Sequence, residues 1–396
     1  MEVNKDILEL AGEYEDYVKR QRQHFHIHPE VSGAEFETSK YLKAETQAMG
    51  LQIQELKGTG FIGILDTGRP GKTLVIRSDI DALPMDEAKE NLKGPKACVS
   101  NVAGVCHGCG HDAHMAIALG TMKVLCRLKD RFSGKILFAF EEGEERGAGV
   151  GVMIEALKEW KPDGVYGNHV TAFMDAGTIC ADEGPRMAGA IGIDMTVHGQ
   201  GGHGSRPDLS INPIIAACQI ISQLSVAWTT RIDVMKTVTL SIGQIKGGQQ
   251  SNIIPDDTYI GGSCRFYDMD EARKAEEIIR QVARGVAEVN RCTVTFGPRN
   301  KILAPPVVND KELAELSRQG IREILPPDTL VSDIKWFASE SFSQYTMNFP
   351  AVLNFIGIRN EEKGTGAEHH NGRFDVDEDA LKTAVIAAAK FALDFL

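Results

Sequence analysis

Residues 135–145 read KILFAFEEGEE, an apolar run that stops against four glutamates. An unbroken apolar stretch of this length marks a strand covered on both faces, as the strands of parallel sheets are. Three other runs share the pattern: KTLVIRSD (72–79), DGVYGNH (163–169) and AVLNFIGIR (351–359). Between them, HMAIALGTMKVLCRLKD (114–130) and VGVMIEALKEW (150–160) have the length and apolar spacing of helices. Strands alternating with helices predict an α/β fold: a mixed, mostly parallel sheet flanked by helices. Upstream, one helix is expected over residues 5–28 and another from Ser32 to Gly50.

From about Ala188 the pattern changes. AIGIDMTVH reads as a strand, SINPIIAACQIISQLSVAW as a helix, and VTLSIGQIKG and TYIGGSCRFYD as two more strands. DEARKAEEIIRQVARGVAEV is an amphipathic helix and TVTFGP a last strand. The order β-α-β-β-α-β is the split βαβ arrangement of a ferredoxin-like α+β unit. The first style returns after LAPPVVND. An inserted domain is therefore expected at 187–302, carried on a discontinuous α/β domain made of 1–186 and 303–396.

Bulk properties narrow the function. A formal net charge of −12 excludes a phosphate-backbone binder, so no nucleic-acid partner is expected. No secretory h-region opens the chain, and no run of about 18 apolar residues predicts a membrane span. The 8 cysteines are scattered, and Cys126 and Cys218 sit in apolar runs, which suggests buried free thiols in the cytoplasm.

Ligands of open α/β sheets bind beyond the carboxyl ends of the parallel strands. The predicted strands end in Asp79 and Asp81, in Glu141, Glu142, Glu144 and Glu145, and in Asn168 and His169. HGCGHDAH (107–114) opens the helix between the first two. By itself that stretch could be a zinc knot, an ordinary loop or part of a catalytic metal site; no second Cys/His cluster of matching spacing completes a closed structural site. Each strand-end residue alone is commonplace. Together they form an anionic edge that would repel itself unless cations neutralise it. Divalent metals do so, acidify water and polarise a carbonyl. A paired Glu-Glu can then divide its work, one carboxylate on metal and the other as general base.

RSDIDALPM, HGCGHDAHMA, FAFEEGEERGAG, GNHV and EHHNGRFDVDEDAL together resemble the M20 metallopeptidases, in the branch of the aminoacylase-like amidohydrolases. HFHIHPEVSGAEFETSKYL, GGHGSRPD and GGQQSNIIPDD match as well, so the likeness runs in order from about residue 20 to the C-terminus. The resemblance implies two divalent metal ions per subunit (zinc or manganese, with cobalt or nickel also suited to the donors) on Cys109, His111, Glu145, His169 and His370. It implies Glu144 as general acid/base and Asp81 as the aspartate that fixes a ligand. Asp79 stands where other branches carry a metal-binding His. The insert becomes a lid and dimerisation domain, so the partners implied are a second copy of the chain and a small-molecule amide. His203 of the GGHG loop would stabilise an oxyanion in the partner subunit, and Asn252 and Arg265 would grip a substrate carboxylate.

Departures from the pattern are informative. The branch has uncharged residues where Glu141 and Glu142 lie. Of His369 and His370, only the second fits the spacing to RFD. A GSEDFS-like motif appears as ASESFS, with Glu340 kept and Ser341 in place of Asp. GQGGHG (199–204) fits G-x-G-x-x-G, but Pro207 and Asp208 follow before any helix, so a dinucleotide site is rejected. His26 and His28 are read as structural. The expected activity is cleavage of the amide of an N-acyl amino acid; the rivals are an inactive metal-binding paralogue and a hydrolase with Cys109 as nucleophile.

Overall fold

The computed structural model describes residues 2–396, which divide into two compact units. The chain up to Gly184, with Val308–Ile334 and Gln344–Leu396, forms the larger; Pro185–Val307 and Lys335–Ser343 form the smaller.

The larger unit is built on eight strands: β1 (Gln52–Glu55), β2 (Phe61–Asp66), β3 (Thr73–Asp79), β4 (Lys135–Glu141), β5 (Gly164–Asp175), β6 (Ile179–Cys180), β7 (Leu330–Val331) and β8 (Ala351–Arg359). Their order across the sheet is β1-β2-β4-β3-β5-β8-β6-β7. The central pairs β4-β3, β3-β5 and β5-β8 are parallel, whereas β1-β2, β2-β4 and β8-β6 are antiparallel. β3, β4 and β8 are buried nearly end to end, which their unbroken apolar sequences require of strands covered on both faces.

The single helix expected over 5–28 is two: α1 (Glu2–Glu13) and α2 (Glu15–Ile27), parted at Tyr14. Next come α3 (Phe36–Ala48), α4 (His111–Arg127), α5 (Val150–Trp160), α6 (Lys311–Ile324) and α7 (Ala380–Phe395). The helix anticipated from Ser32 starts later, because Glu30 caps the first turn of α3 by accepting the N–H groups of Glu37 and Thr38. α4 is buried on almost every face and packs against α2, α7 and β3. Among the described residues no helix is long and apolar enough to cross a membrane, and all eight cysteines are free. Cys218 is exposed, contrary to the burial expected from its apolar run, and Cys126 is half-buried.

The smaller unit places Gly189–His198, Pro213–Arg231, Ser241–Gly247, Asp257–Phe266, Met269–Val289 and Thr293–Phe296 in the order β-α-β-β-α-β. Its strands are antiparallel and lie in the order second, third, first, fourth, and Ile302–Ala304 also pairs with the first. Ser241–Gly247 is an outer strand, exposed along most of its length.

His26 is buried and holds elements together. Its Nδ1 lies 2.7 Å from Asp112 Oδ2 on α4, and its Nε2 lies 2.7 Å from Glu87 Oε1. The buried Arg22 forms an ion pair with the same Asp112 oxygen at 2.9 Å. Burial and Arg22 push the imidazole pKa down, but the bonds to Asp112 and Glu87 outweigh them and leave it above its usual 6.5. Protonation of His26 therefore stabilises the fold below pH 6.5, and that contribution disappears as pH rises through the folded-state value. The melting temperature of the wild type should fall over that interval more steeply than that of His26→Gln; parallel curves by circular dichroism would contradict the assignment.

Candidate metal centre

α4 begins at the carboxyl edge of the larger sheet. Gly110 caps it with φ +92°, and a Cβ there would lie 2.3 Å from Val170 Cγ2, so only glycine lets the helix start hard against β5. This helix start presents Cys109 and His111 to residues from three other segments. Ligand-type atoms of Cys109, His111 and His169 lie within 4.8 Å of one another, as do those of Cys109, Glu145 and His370, and those of His111, Glu144 and Glu145. Cys109 Sγ is 3.8 Å from His169 Nε2, and His370 Nε2 is 3.3 Å from Glu145 Oε1.

Hydrogen bonds orient the imidazoles. His111 Nδ1 donates to the Asp81 carbonyl at 2.9 Å and lies 3.2 Å from Asp81 Oδ1, leaving Nε2 facing the cluster. His169 Nδ1 donates to the Val170 carbonyl at 2.7 Å, so its Nε2 also carries the lone pair. The second Asp81 oxygen accepts from Ser32 Oγ at 2.5 Å and from the Glu145 N–H at 3.1 Å. Asp81 thus holds one imidazole and the backbone of the glutamate beside it. His370 sits at φ +59°, a left-handed conformation rare for residues with a Cβ, and its N–H donates to the Gly108 carbonyl at 2.8 Å.

The four glutamates separate cleanly. Glu141 is buried and accepts from Arg77 Nε at 3.0 Å and from the Tyr345 hydroxyl at 2.6 Å. Glu142 turns the other way, to the N–H and hydroxyl of Thr59. Gly143 donates its N–H to Glu35 Oε1 at 2.9 Å, and beyond it only Glu144 and Glu145 reach the cluster.

The donors suit a divalent metal. Among the described residues His111 Nε2 and Glu145 Oε1 are buried without a hydrogen bond, Glu145 Oε1 having its 3.3 Å ion-pair contact with His370 Nε2, and burying such polar atoms costs free energy that a bound cation would offset. A thiol, imidazoles and a carboxylate converge there, a set that fits zinc and related ions. Asp79, His111 and His114 also lie close enough to hold an ion. Two of the three are already engaged: His114 Nδ1 is 2.7 Å from Asp79 Oδ1, its Nε2 accepts the Val170 N–H at 2.9 Å, and Arg77 takes the other Asp79 oxygen at 2.7 Å. His114 and Asp79's web were missed in the sequence, although His114 falls one helical turn from His111 and so on the same face.

In the smaller unit, His203 lies on Gly202–His203, which pairs with Ile253–Ile254. Its Nδ1 accepts the Ser205 N–H at 3.1 Å, which puts the ring proton on Nε2. The Asn252 carbonyl accepts the Gly204 N–H at 2.8 Å. Arg265 is half-buried and donates to the Ser339 hydroxyl. Glu340, kept from the altered motif, is buried and accepts the Phe342 N–H at 3.1 Å.

A thiol-imidazole-carboxylate cluster at the strand ends of an α/β sheet, with a carboxylate to spare, is the arrangement of a metallohydrolase. Residues 75–394 match Peptidase family M20/M25/M40, and the chain belongs to that family. It is 34% identical over 390 residues to thermostable carboxypeptidase 2 of Saccharolobus solfataricus, covering 97% of this chain and 96% of that one. It is 31% identical over 392 residues to an IAA-amino acid hydrolase of Arabidopsis thaliana (98% and 88%). The crystal structure of the Bacillus subtilis YXEP protein, described as a dinuclear metal binding peptidase from the M20 family, superposes with a TM-score of 0.83 at 27% identity (96% and 98%). The protein is a metallo-hydrolase acting on C–N amide bonds.

Burial pushes the Cys109 thiol well above its ordinary pKa despite the nearby His111. His111 is raised too: burial opposes its charge, but Asp79, Asp81 and Cys109 overcome it. His169 is held well below its usual value by burial and by His114. An ion held by Cys109, His111 and His169 would therefore displace protons from the first two but not from His169. Affinity should fall as pH is lowered, and calorimetric titration with a divalent ion in buffers of different ionisation heat should register proton release; release of none would contradict this.

Proposed function

We propose that the protein is a homodimeric, two-metal amidohydrolase that cleaves the amide joining an acyl group to an amino acid. The observation that carries this reading is the meeting of Cys109, His111, Glu145, His169 and His370 with Glu144, which shares their cluster. The substrate class rests on the resemblance and on two relatives, a carboxypeptidase and an IAA-amino acid hydrolase, whose names both refer to amides with an amino acid as the amine half.

Cys109, His111, Glu145, His169 and His370 would hold the two ions, zinc or manganese suiting the donors best. When bound, these supply a Lewis acid for the scissile carbonyl and lower the pKa of the attacking water. Glu144 accepts the water's proton as the oxygen attacks the carbonyl carbon, and returns it to the amine nitrogen as the C–N bond breaks. Asp81 keeps His111 and the Glu145 backbone in register throughout. His203, contributed by the other subunit, donates from Nε2 to the oxyanion. Asn252 and Arg265 bind the carboxylate of the amino-acid half. The exposed outer strand Ser241–Gly247 supports an interface on the smaller unit, and the free cysteines fit a cytoplasmic setting.

A cysteine nucleophile is disfavoured because burial raises the Cys109 pKa, the reverse of what activation needs. The inactive-paralogue reading loses its ground because Glu144 stands within the cluster.

Glu144→Gln should keep its full complement of metal and lose about 10²–10⁴-fold in kcat on a panel of acetyl, benzoyl, indole-acetyl and aminobenzoyl amino acids and dipeptides. Turnover that survives this change, or that survives exhaustive chelation by EDTA, overturns the mechanism. His203→Ala should be comparably impaired, and mixing it with Glu144→Gln should restore part of the activity, since one hybrid site regains both groups; mixtures no better than their components would place His203 elsewhere.

A further inference from the structure

β5 is longer than the strand beside it. It pairs with β3 only from Gly164 to Gly167, while its other edge stays paired with β8 well beyond that point. Side by side in the gap β3 leaves, two backbone N–H groups of β5 are taken by imidazoles: Val170 by His114 Nε2 at 2.9 Å, and Ala172 by His369 Nε2 at 3.2 Å. Groups two residues apart on a strand face the same way, so the two histidines stand in for successive rungs of a missing ladder. Both rings are buried or nearly so. A backbone N–H can only donate, so the proton of each ring lies on Nδ1; in His114 it goes to Asp79 Oδ1 at 2.7 Å.

Val170 is the residue whose carbonyl holds the His169 ring, at 2.7 Å from Nδ1. Its N–H is held by His114, which sits on α4 one turn after His111. The chain of bonds continues from Asp79 through Arg77 to Glu141 and Tyr345. The ends of β3, β4 and β5 are thereby fastened to the first turn of the helix that carries His111.

We infer that His114 and His369 are positioning residues: they complete the edge of β5 where β3 stops, and so fix the tautomer and direction of His169. Neither ring offers its Nε2 to an ion, since that atom is occupied by backbone. The inference rests on the proposed metal centre for its consequence, but the hydrogen-bond clamp itself is a property of the metal-free chain.

The test uses the intact protein and two kinds of measurement. Imidazole ¹⁵N spectra of the metal-free chain should show His169 as a single Nδ1–H tautomer in wild type and as a mixture in His114→Ala. Affinity for Co²⁺, read from its visible spectrum, should fall about 10–100-fold in the same variant with a changed band pattern. His114→Gln, whose amide oxygen reaches the ε position, should recover the wild-type tautomer and most of the affinity. His114→Asn, which reaches only Asp79, should recover neither; it also decides the matter if the alanine variant fails to fold. His369→Gln should resemble wild type and His369→Ala should not. A His169 tautomer unchanged in His114→Ala, or rescue by Asn in preference to Gln, overturns the inference. Failure of the wild type to bind Co²⁺ would instead sink the metal reading, leaving the ¹⁵N result to judge the clamp.

Discussion

Buried carboxylates govern this molecule. Asp79, Asp81, Asp112 and Glu141 are all at most 1% exposed, and all lie near the same edge of the sheet. An ionised carboxylate left unpaired in that environment destabilises a protein by several kcal/mol, so each has a cationic or hydrogen-bonding partner bound to it. Arg77 spans Asp79 and Glu141; Arg22 and His26 share Asp112; His111 and Ser32 take Asp81. The pairing has a consequence for chemistry. A carboxylate engaged by arginine is a poor metal ligand, and of the four glutamates it is Glu144 and Glu145, past the turn at Gly143, that fall in the candidate metal groups.

The same economy applies to the imidazoles, where it acts through tautomers. His169 donates its Nδ1–H to a carbonyl and so directs a lone pair at the cluster, while His111, which donates its Nδ1–H to the Asp81 carbonyl, does the same once the proton on its Nε2 is displaced. His203 has the opposite assignment: Nδ1 accepts from a backbone N–H, and the proton sits outward on Nε2. The proposed ligands and the proposed proton donor thus differ in what the other ring nitrogen touches. His114 and His26, with both nitrogens engaged by protein, are excluded from either role.

Much of this was legible in the residues themselves. KILFAFEE and AVLNFIGIR announce strands covered on both faces because neither contains the alternation that a solvated face would impose, and β4 and β8 follow. The gathering of Asp79, Asp81, the glutamates and His169 at one edge follows from strand polarity alone. Other features depend on tertiary contacts that leave no local mark. In KDILELAGEYEDYVKRQRQ only Gly12 hints at the interruption at Tyr14, and the apolar run around Cys218 does not reveal that the thiol lies on the open face of its helix. The separation of Glu141 and Glu142 from Glu144 and Glu145 required knowing that Arg77, Tyr345 and Thr59 stand opposite the first pair. The stapling role of His114 was hidden for the same reason: its partners, Asp79 and Val170, come from two other strands.

His370 brings these threads to one point. A left-handed residue with a Cβ carries about 1–3 kcal/mol of strain unless its surroundings compensate. Here the compensation is a hydrogen bond from its own N–H to the carbonyl of Gly108, the residue before Cys109. One peptide contact therefore joins the loop bearing the thiol to the loop bearing the last imidazole, and both side chains share a cluster with Glu145. Relaxing His370 to an ordinary backbone conformation would break that bond and draw its ring away from Glu145. That carbonyl is supplied by the loop before α4, which itself packs through Gly110 against Val170. Helix start, strand end and strained loop are thus mutually dependent, and the geometry of the cluster is a property of their packing rather than of any single ligand.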